Sequence, residues 1–408
     1  MILKFLKNIG PGPLVAAAFI GPGTVTVCTL AGVNFGFTLL WAMLLSVFAT
    51  VILQEMAARL GVVAQKGLSE IIKEEIKHPL VKGGAMLLII SAVVLGNAAY
   101  EAGNISGGAL GVEAITGNLS WTIGALQLNG ASVIIGVMAF ILLYIGNYKV
   151  LEKAFVVLVI LMSLAFIITA ILTKPNLLDV FKGLIVPETP KESILTIVAL
   201  IGTTVVPYNL FLHASLAKTK WKSDRDLALA KRDTVVAVVL GGTVSMCVII
   251  SASAIQMQDI KNASDLALGL EPLFGRFSKY FLAVGLFAAG VTSAITAPLA
   301  AAFVASGCLG WGSDMKSRKF RAVWMVIVLL GVLFSSLGFK SIEIIKFAQV
   351  ANGVLLPVVA GFLLWVMNKS SVLGKYVNTK KQNALGILIM VVTIVLGLKG
   401  VLIVFNVI

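Results

Sequence analysis

The stretch PLVAAAFIGPGTVTVCTLAGV, residues 13–33, is apolar along its length yet carries Gly21-Pro22-Gly23-Thr24 in its middle. As a helix it is long enough to cross the hydrocarbon core of a bilayer. Proline removes a backbone donor and clashes with the preceding turn, and the flanking glycines release the chain from helical dihedrals, so the helix is expected to break there. Taken alone, the break could be no more than a kink. Inside a membrane it survives only where protein or a water-filled cavity satisfies the freed backbone groups. A counterpart lies at 194–217, ILTIVALIGTTVVPYNLFLHASLA, where Thr203-Thr204-Val205-Val206-Pro207-Tyr208 interrupts a second apolar run. Two interrupted spans at matching positions in successive halves are the sequence mark of a transporter binding site.

Around these two runs, others fall near 36–58, 83–112, 131–147, 150–173, 233–255, 280–307, 322–339, 342–367 and 384–406, which makes about eleven spans. The breaks are five spans apart, an odd number, so the second half is expected to be inverted relative to the first. The third, eighth and tenth runs are long enough to be tilted or broken. Composition agrees with a single all-α bundle in a membrane. Of the 408 residues 59% are hydrophobic and 12% charged, and the mean hydropathy is +1.03, which leaves too few charges to cover a soluble surface. The 39 glycines suit closely packed membrane helices.

The net charge of +14 would suggest nucleic acid as a partner in a soluble protein. Here the basic residues alternate with the spans. One side takes Lys4 and Lys7, five residues between Arg59 and Lys82, Lys149 and Lys153, six between Lys218 and Arg232, four between Lys316 and Arg321, and four between Lys369 and Lys381. That is 23 of the 32 basic residues, and the 113–130 loop on the other side holds none. The positive-inside rule then predicts a multi-pass protein of the plasma membrane, with its N-terminus in the cytoplasm and its C-terminus outside. Lys4, Lys7 and Ala16-Ala17-Ala18 could imitate a signal peptide, but its removal would spoil this alternation. The 173–193 loop, with Pro175, Pro187 and Pro190, reads as an external connector, and 217–232 as a solvated basic turn.

Several polar residues stand inside apolar runs. Asn97, Glu101 and Asn104 are spaced i, i+4, i+7 and share one face of the third span, beside Gly103, Gly107 and Gly108. A lone intramembrane carboxylate is expensive and is expected to face the bundle interior, as a functional or a structural group. Tyr100 reads as packing. Glu343, Lys346, Gln349 and Asn352 recur at steps of three along the tenth span. Glu343 and Lys346 could form an interfacial pair, whereas Gln349 and Asn352 lie deeper and are the better pathway candidates. His213 follows Asn209 by four residues and could relay protons or be a satisfied core histidine. His78 reads as solvated surface. Cys28, Cys247 and Cys308 lack metal-ligand or disulfide spacing. No nucleotide or hydrolase motif is present, no enzyme activity and no cofactor are expected, and Gly-x-Gly patterns inside apolar helices carry no phosphate-loop meaning.

Taken together, Gly10-Pro11, the 21–36 segment through Ala31-Gly32 and Phe35-Gly36, and Gln54 through Leu60-Gly61 resemble the first two spans of the Nramp divalent-metal transporters. Leu151-Glu152-Lys153, Val205 to His213 and Thr292-Ser293-Ala294-Ile295-Thr296 extend the resemblance over almost the whole chain. It implies the LeuT-type fold, with one repeat over about 10–175, an inverted one over about 190–368, and an extra helix near 384–406. The family's metal site is altered. Where that family reads Asp-Pro-Gly-Asn, this chain has Gly21 and Thr24 at the ends of the motif. Where it reads Met-Pro-His, this chain has Val206-Pro207-Tyr208. Glu101 falls where an aspartate is usual, Asn104 replaces a glutamate, and Val291 replaces a glutamine; Gln349 and His213 match.

Without the thioether, the preference for softer ions such as Mn²⁺ and Cd²⁺ is removed. Without the aspartate, a bare ion entering a low-dielectric site lacks compensation for a desolvation cost of order tens of kcal/mol. A partly hydrated hard ion such as Mg²⁺ is easier to accommodate, because it keeps its waters. The expected site is Gly21, Pro22, Gly23, Thr24, Thr203, Val206, Tyr208, Asn97, Glu101, Asn104 and Gln349, with Glu101 and Thr24 as the only candidate metal ligands and Glu101 and His213 as proton or gating candidates. The expected function is cation transport by alternating access in a monomer embedded in lipid, without tight proton coupling. The roomier, more apolar pocket would also suit a small organic solute, and a non-transporting sensor on the same fold is a third reading, although no appended domain is present to carry a signal.

Overall fold

The computed structural model describes residues 20–123, 126–146, 149–256, 260–312, 314–337 and 339–404. Residues 13–19 of the first apolar run, Lys4, Lys7 and Gly10-Pro11 therefore lie outside the described residues.

Proline at the first helical position is pre-organised for helix and has no amide to waste, and α1, Pro22–Phe35, begins at Pro22 with Gly21 extended before it. The next elements are α2, Leu40–Ala64, a short α3, Leu68–Glu75, and α4, Pro79–Thr116. A hairpin of β1, Ser120–Ile123, and β2, Leu126–Asn129, pairs Ser120 with Asn129 and Trp121 with Leu128 in antiparallel register. Next come α5, Gly130–Ile145, α6, Lys149–Leu172, and α7, Leu177–Ile185. The second interrupted run is split into α8, Ile194–Thr204, and α9, Pro207–Lys220. The chain continues as α10, Leu227–Ala252, α11, Ser278–Leu309, α12, Arg318–Ser336, α13, Ser341–Val366, and α14, Lys380–Val404.

Among the described residues nine helical stretches are long and apolar enough to cross a membrane, α8 and α9 counting together, and α5 is a shorter apolar helix. With α1 they match the expected eleven spans in order. One detail narrows the sequence reading and two differ from it. The third, eighth and tenth spans are continuous helices of 38, 32 and 26 residues. Pro298 and Pro357 are carried inside the last two without ending them, since neighbouring helices can satisfy the freed groups. The 113–130 loop folds into a hairpin, and the 173–193 connector contains α7, whose N-cap Asn176 accepts from the Leu178 amide at 3.1 Å. Both are short polar-capped elements that apolar-run reading passes over.

Two groups of helices meet along α13. In one, α1, α2, α8, α9 and α10 pack on each other; in the other, α4, α5, α11 and α12 do, with α4 and α11 sharing the longest interface. Small residues let backbones approach. A Cβ on Gly107 of α4 would stand 2.0 Å from the Pro22 Cβ, and one on Gly202 of α8 would stand 1.9 Å from the Gln349 carbonyl oxygen. The outer face carries exposed Leu87, Leu95, Ile141, Ile171, Leu240, Leu329 and Leu398, a belt that suits lipid rather than water.

At one end of the bundle, Arg59 near the end of α2 pairs with Glu55 at 3.3 Å. It donates to the Asn378 side-chain oxygen at 2.7 Å and to the Tyr376 carbonyl at 3.1 Å, both in the connector between α13 and α14. The Tyr376 hydroxyl donates to Asp224 at 2.8 Å and holds that exposed carboxyl below its ordinary range.

Candidate functional site

The start of α1 and the break between α8 and α9 face each other. Thr24 Oγ1 and Thr203 Oγ1 lie 2.7 Å apart and are buried. Gln349 of α13 closes the third side: a Cβ on Gly23 would stand 2.1 Å from its Nε2, so only glycine leaves room for the amide there. The side-chain oxygen of Gln349 has no hydrogen-bond partner, and neither amide atom of Asn209 has one. Tyr208, the second residue of α9, meets Tyr100 of α4 edge to face with ring centroids 5.3 Å apart. Val206 is fully buried. Helix ends also supply partial charge: α8 points its C-terminal carbonyls at the break, equivalent to roughly half a negative charge.

Gly21, Pro22, Gly23, Thr24, Thr203, Val206, Tyr208 and Gln349 thus belong to one place, built by α1, α8, α9 and α13. Glu101 stands beside Tyr100, the ring that meets Tyr208, and turns toward α12. Its stem packs on Gly331 of α12, where an added Cβ would come 2.4 Å from the Glu101 Cγ. Its Oε2 accepts a long hydrogen bond from Asn104 Nδ2 at 3.4 Å, and Oε1 has no partner. Asn97 turns to α11 and donates to the Ala297 carbonyl at 3.1 Å. Helix α4 therefore divides its polar stripe among α11 and α12, while Gly107 faces Pro22.

His213 is a bridging residue. Its Nδ1 lies 2.6 Å from the Gln54 side-chain oxygen of α2, and its Nε2 lies 3.4 Å from the Thr234 hydroxyl of α10. Glu343 pairs with Lys340 at 3.6 Å, both exposed, instead of with Lys346, because the exposed start of α13 turns both side chains outward. Gln349 and Asn352 are buried, as their depth suggested. His78 is exposed. Among the described residues no group of three or more His, Cys, Asp or Glu side chains could hold a metal ion. Ser293 and Gly331 were not singled out by the sequence reading. Ser293 stood inside the Thr292–Thr296 segment, a signal that was visible, whereas the role of Gly331 depends on a neighbour more than 200 positions away.

The glycine-flanked start of α1, packed inside the bundle against the break between α8 and α9, is the arrangement of a LeuT-type membrane transporter fold. Solved structures with this architecture include the manganese transporter of Eremococcus coleocola, with a TM-score of 0.75 and 21% identity over 96% of this chain and 85% of that one. Another is Mhp1, a nucleobase-cation-symport-1 family transporter, with a TM-score of 0.61 and 14% identity over 96% of this chain and 92% of that one. The family described as natural resistance-associated macrophage protein-like, Nramp, matches residues 12–403, and the chain belongs to it. It is 27% identical over 414 residues to the divalent metal cation transporter MntH of Yersinia enterocolitica, covering 98% of this chain and 95% of that one. The MntH of Yersinia pestis gives 27% over 411 residues, with the same coverage. The relatives are transporters and not enzymes.

Proposed function

We propose that the chain carries a divalent metal cation across the plasma membrane by alternating access, and that it takes a hard ion such as Mg²⁺ with part of its water shell. The observation that carries this is the composition of the meeting point of the breaks. Thr24, Thr203 and Gln349 offer neutral oxygens, and the Met43 thioether is engaged by the Thr204 hydroxyl at 3.5 Å. Such a set favours an oxygen-loving ion that need not be stripped bare. The MntH relatives supply the divalent class. Gly21 and Tyr208, standing where the family has an aspartate and a histidine, cannot exchange protons near neutral pH, so transport is not tightly coupled to them. The partial negative charge at the end of α8 assists the cation without binding it firmly.

Purified protein in liposomes loaded with a metal-sensitive dye tests this against Mg²⁺, Mn²⁺, Co²⁺ and Cd²⁺. Mg²⁺ uptake is expected, and Thr24→Val with Thr203→Val should lower it about tenfold or more, since each hydroxyl serves a charged ligand. Micromolar Mn²⁺ or Cd²⁺ binding by calorimetry would refute the hard-ion reading, and uptake of organic solutes alone would refute the metal. The orientation proposed from loop charge is checked by labelling single cysteines at the exposed Ser120 and Lys220. An impermeant thiol reagent outside the cell should reach the first and spare the second.

A further inference from the structure

Glu101 is buried to 0% exposure with one oxygen unpartnered. Among the described residues no ion pair includes it. An isolated ionised carboxylate in such a place is strongly disfavoured, and a bare one would be driven to take up a positive charge. The packing of α4 on α11 shows what else is there. Asn97 meets Ala297, and Gly290 meets Gly108 and the Asn104 carbonyl. These are rungs of an antiparallel register, and stepping from one to the other brings Ser293 level with Glu101. Ser293 is buried to 1% exposure, and its hydroxyl has no partner.

We propose that Glu101, Asn104 and Ser293 form a site for one monovalent metal cation, of which Na⁺ is the type, where α4 meets α11 and α12, with ligands distinct from Thr24, Thr203 and Gln349. The carboxylate supplies the single negative charge that a monovalent ion neutralises. The Ser293 hydroxyl and the side-chain oxygen of Asn104, turned by rotation of its amide, supply neutral ligands. Gly331 is part of the design, because any side chain there would occupy the space of the Glu101 stem. Tyr100, next to Glu101, carries its ring against Tyr208 at the start of α9, so occupancy would be felt at the break. If the transport reading holds, this is the coupling ion; the site itself does not depend on it.

The test reads binding and needs no transport. Detergent-purified wild type is titrated with NaCl against choline chloride at constant ionic strength and pH 8, with the melting temperature as readout. A saturable rise with Na⁺, absent with choline, is expected, because an ion that binds only the folded state stabilises it by mass action. Ser293→Ala should raise the half-saturating Na⁺ concentration severalfold, and Glu101→Gln should abolish the rise. Thr24→Val with Thr203→Val should leave it in place. If Glu101→Gln does not fold, the Ser293→Ala comparison decides alone. A melting temperature indifferent to Na⁺, or one that responds to pH only, would overturn the proposal. So would a Na⁺ response that survives Glu101→Gln or is unchanged in Ser293→Ala.

Discussion

Two polar clusters touch α4, and they are built in opposite ways. Where Gly107 packs on Pro22, the neighbouring cluster offers hydroxyls and an amide with no charge, and they come from three different helices. About 120° around the same helix, Glu101 is an ionisable carboxyl with one weak hydrogen bond, packed against a glycine. The first cluster is rich in ligands and poor in charge; the second is the reverse. A site that must release its cargo on both sides gains from neutral ligands, which hold a hydrated ion loosely. A site that is meant to be filled before anything moves gains from a charge that is costly to leave bare.

The comparison breaks most readily at Gly23. A methyl group there would displace the Gln349 amide by more than an ångström, and mispositioning of that size costs on the order of a hundredfold in comparable sites. Gly23→Ala is therefore expected to fold and to lose most cation uptake. Near-normal uptake would remove Gln349 from the cargo site. Glu101→Gln sharpens the contrast between the clusters. It should change the maximal rate of uptake while leaving the apparent KM for the cargo within about threefold, well below the tenfold that corresponds to 1.4 kcal/mol. A tenfold rise in KM would merge the two clusters into one. The smallest effect belongs to His213. With Gln54 and Thr234 on either side, it is a structural peg between α2, α9 and α10, and His213→Phe should destabilise the protein by about 1–3 kcal/mol through unmade hydrogen bonds. The dependence of uptake on pH between 6 and 8 should stay as in the wild type, and a shifted profile would restore a proton role.

The breaks were legible in the sequence because Gly21-Pro22-Gly23 and Val206-Pro207 act on their own backbone, and local chemistry is written locally. The spans were legible for the same reason, as was the shared face of Asn97, Glu101 and Asn104. What that face meets was not. Glu101 was read with Thr24 as a candidate metal ligand, but which neighbours a residue meets around a helix is settled by partners such as Gly331 and Ala297, which no spacing within the third span encodes. The partners of His213, Gln54 and Thr234 on its two nitrogens, were likewise out of reach of its four-residue spacing from Asn209. The hairpin and α7 escaped because short elements outside the bilayer rely on caps and pairing rather than on a long apolar signal.

Arg59 carries a mechanical consequence. Its guanidinium joins the end of α2 to the segment that leads into α14, and α14 also packs against α2 and α8. In the proposed alternating-access cycle, were the helices bearing the break to rock against the α4–α11 frame, charge-assisted hydrogen bonds would not slip as easily as an apolar contact. The eleventh helix would then be yoked to the moving half. It would travel as ballast on that half's outer edge, and the lipid beside it would have to make way at every stroke.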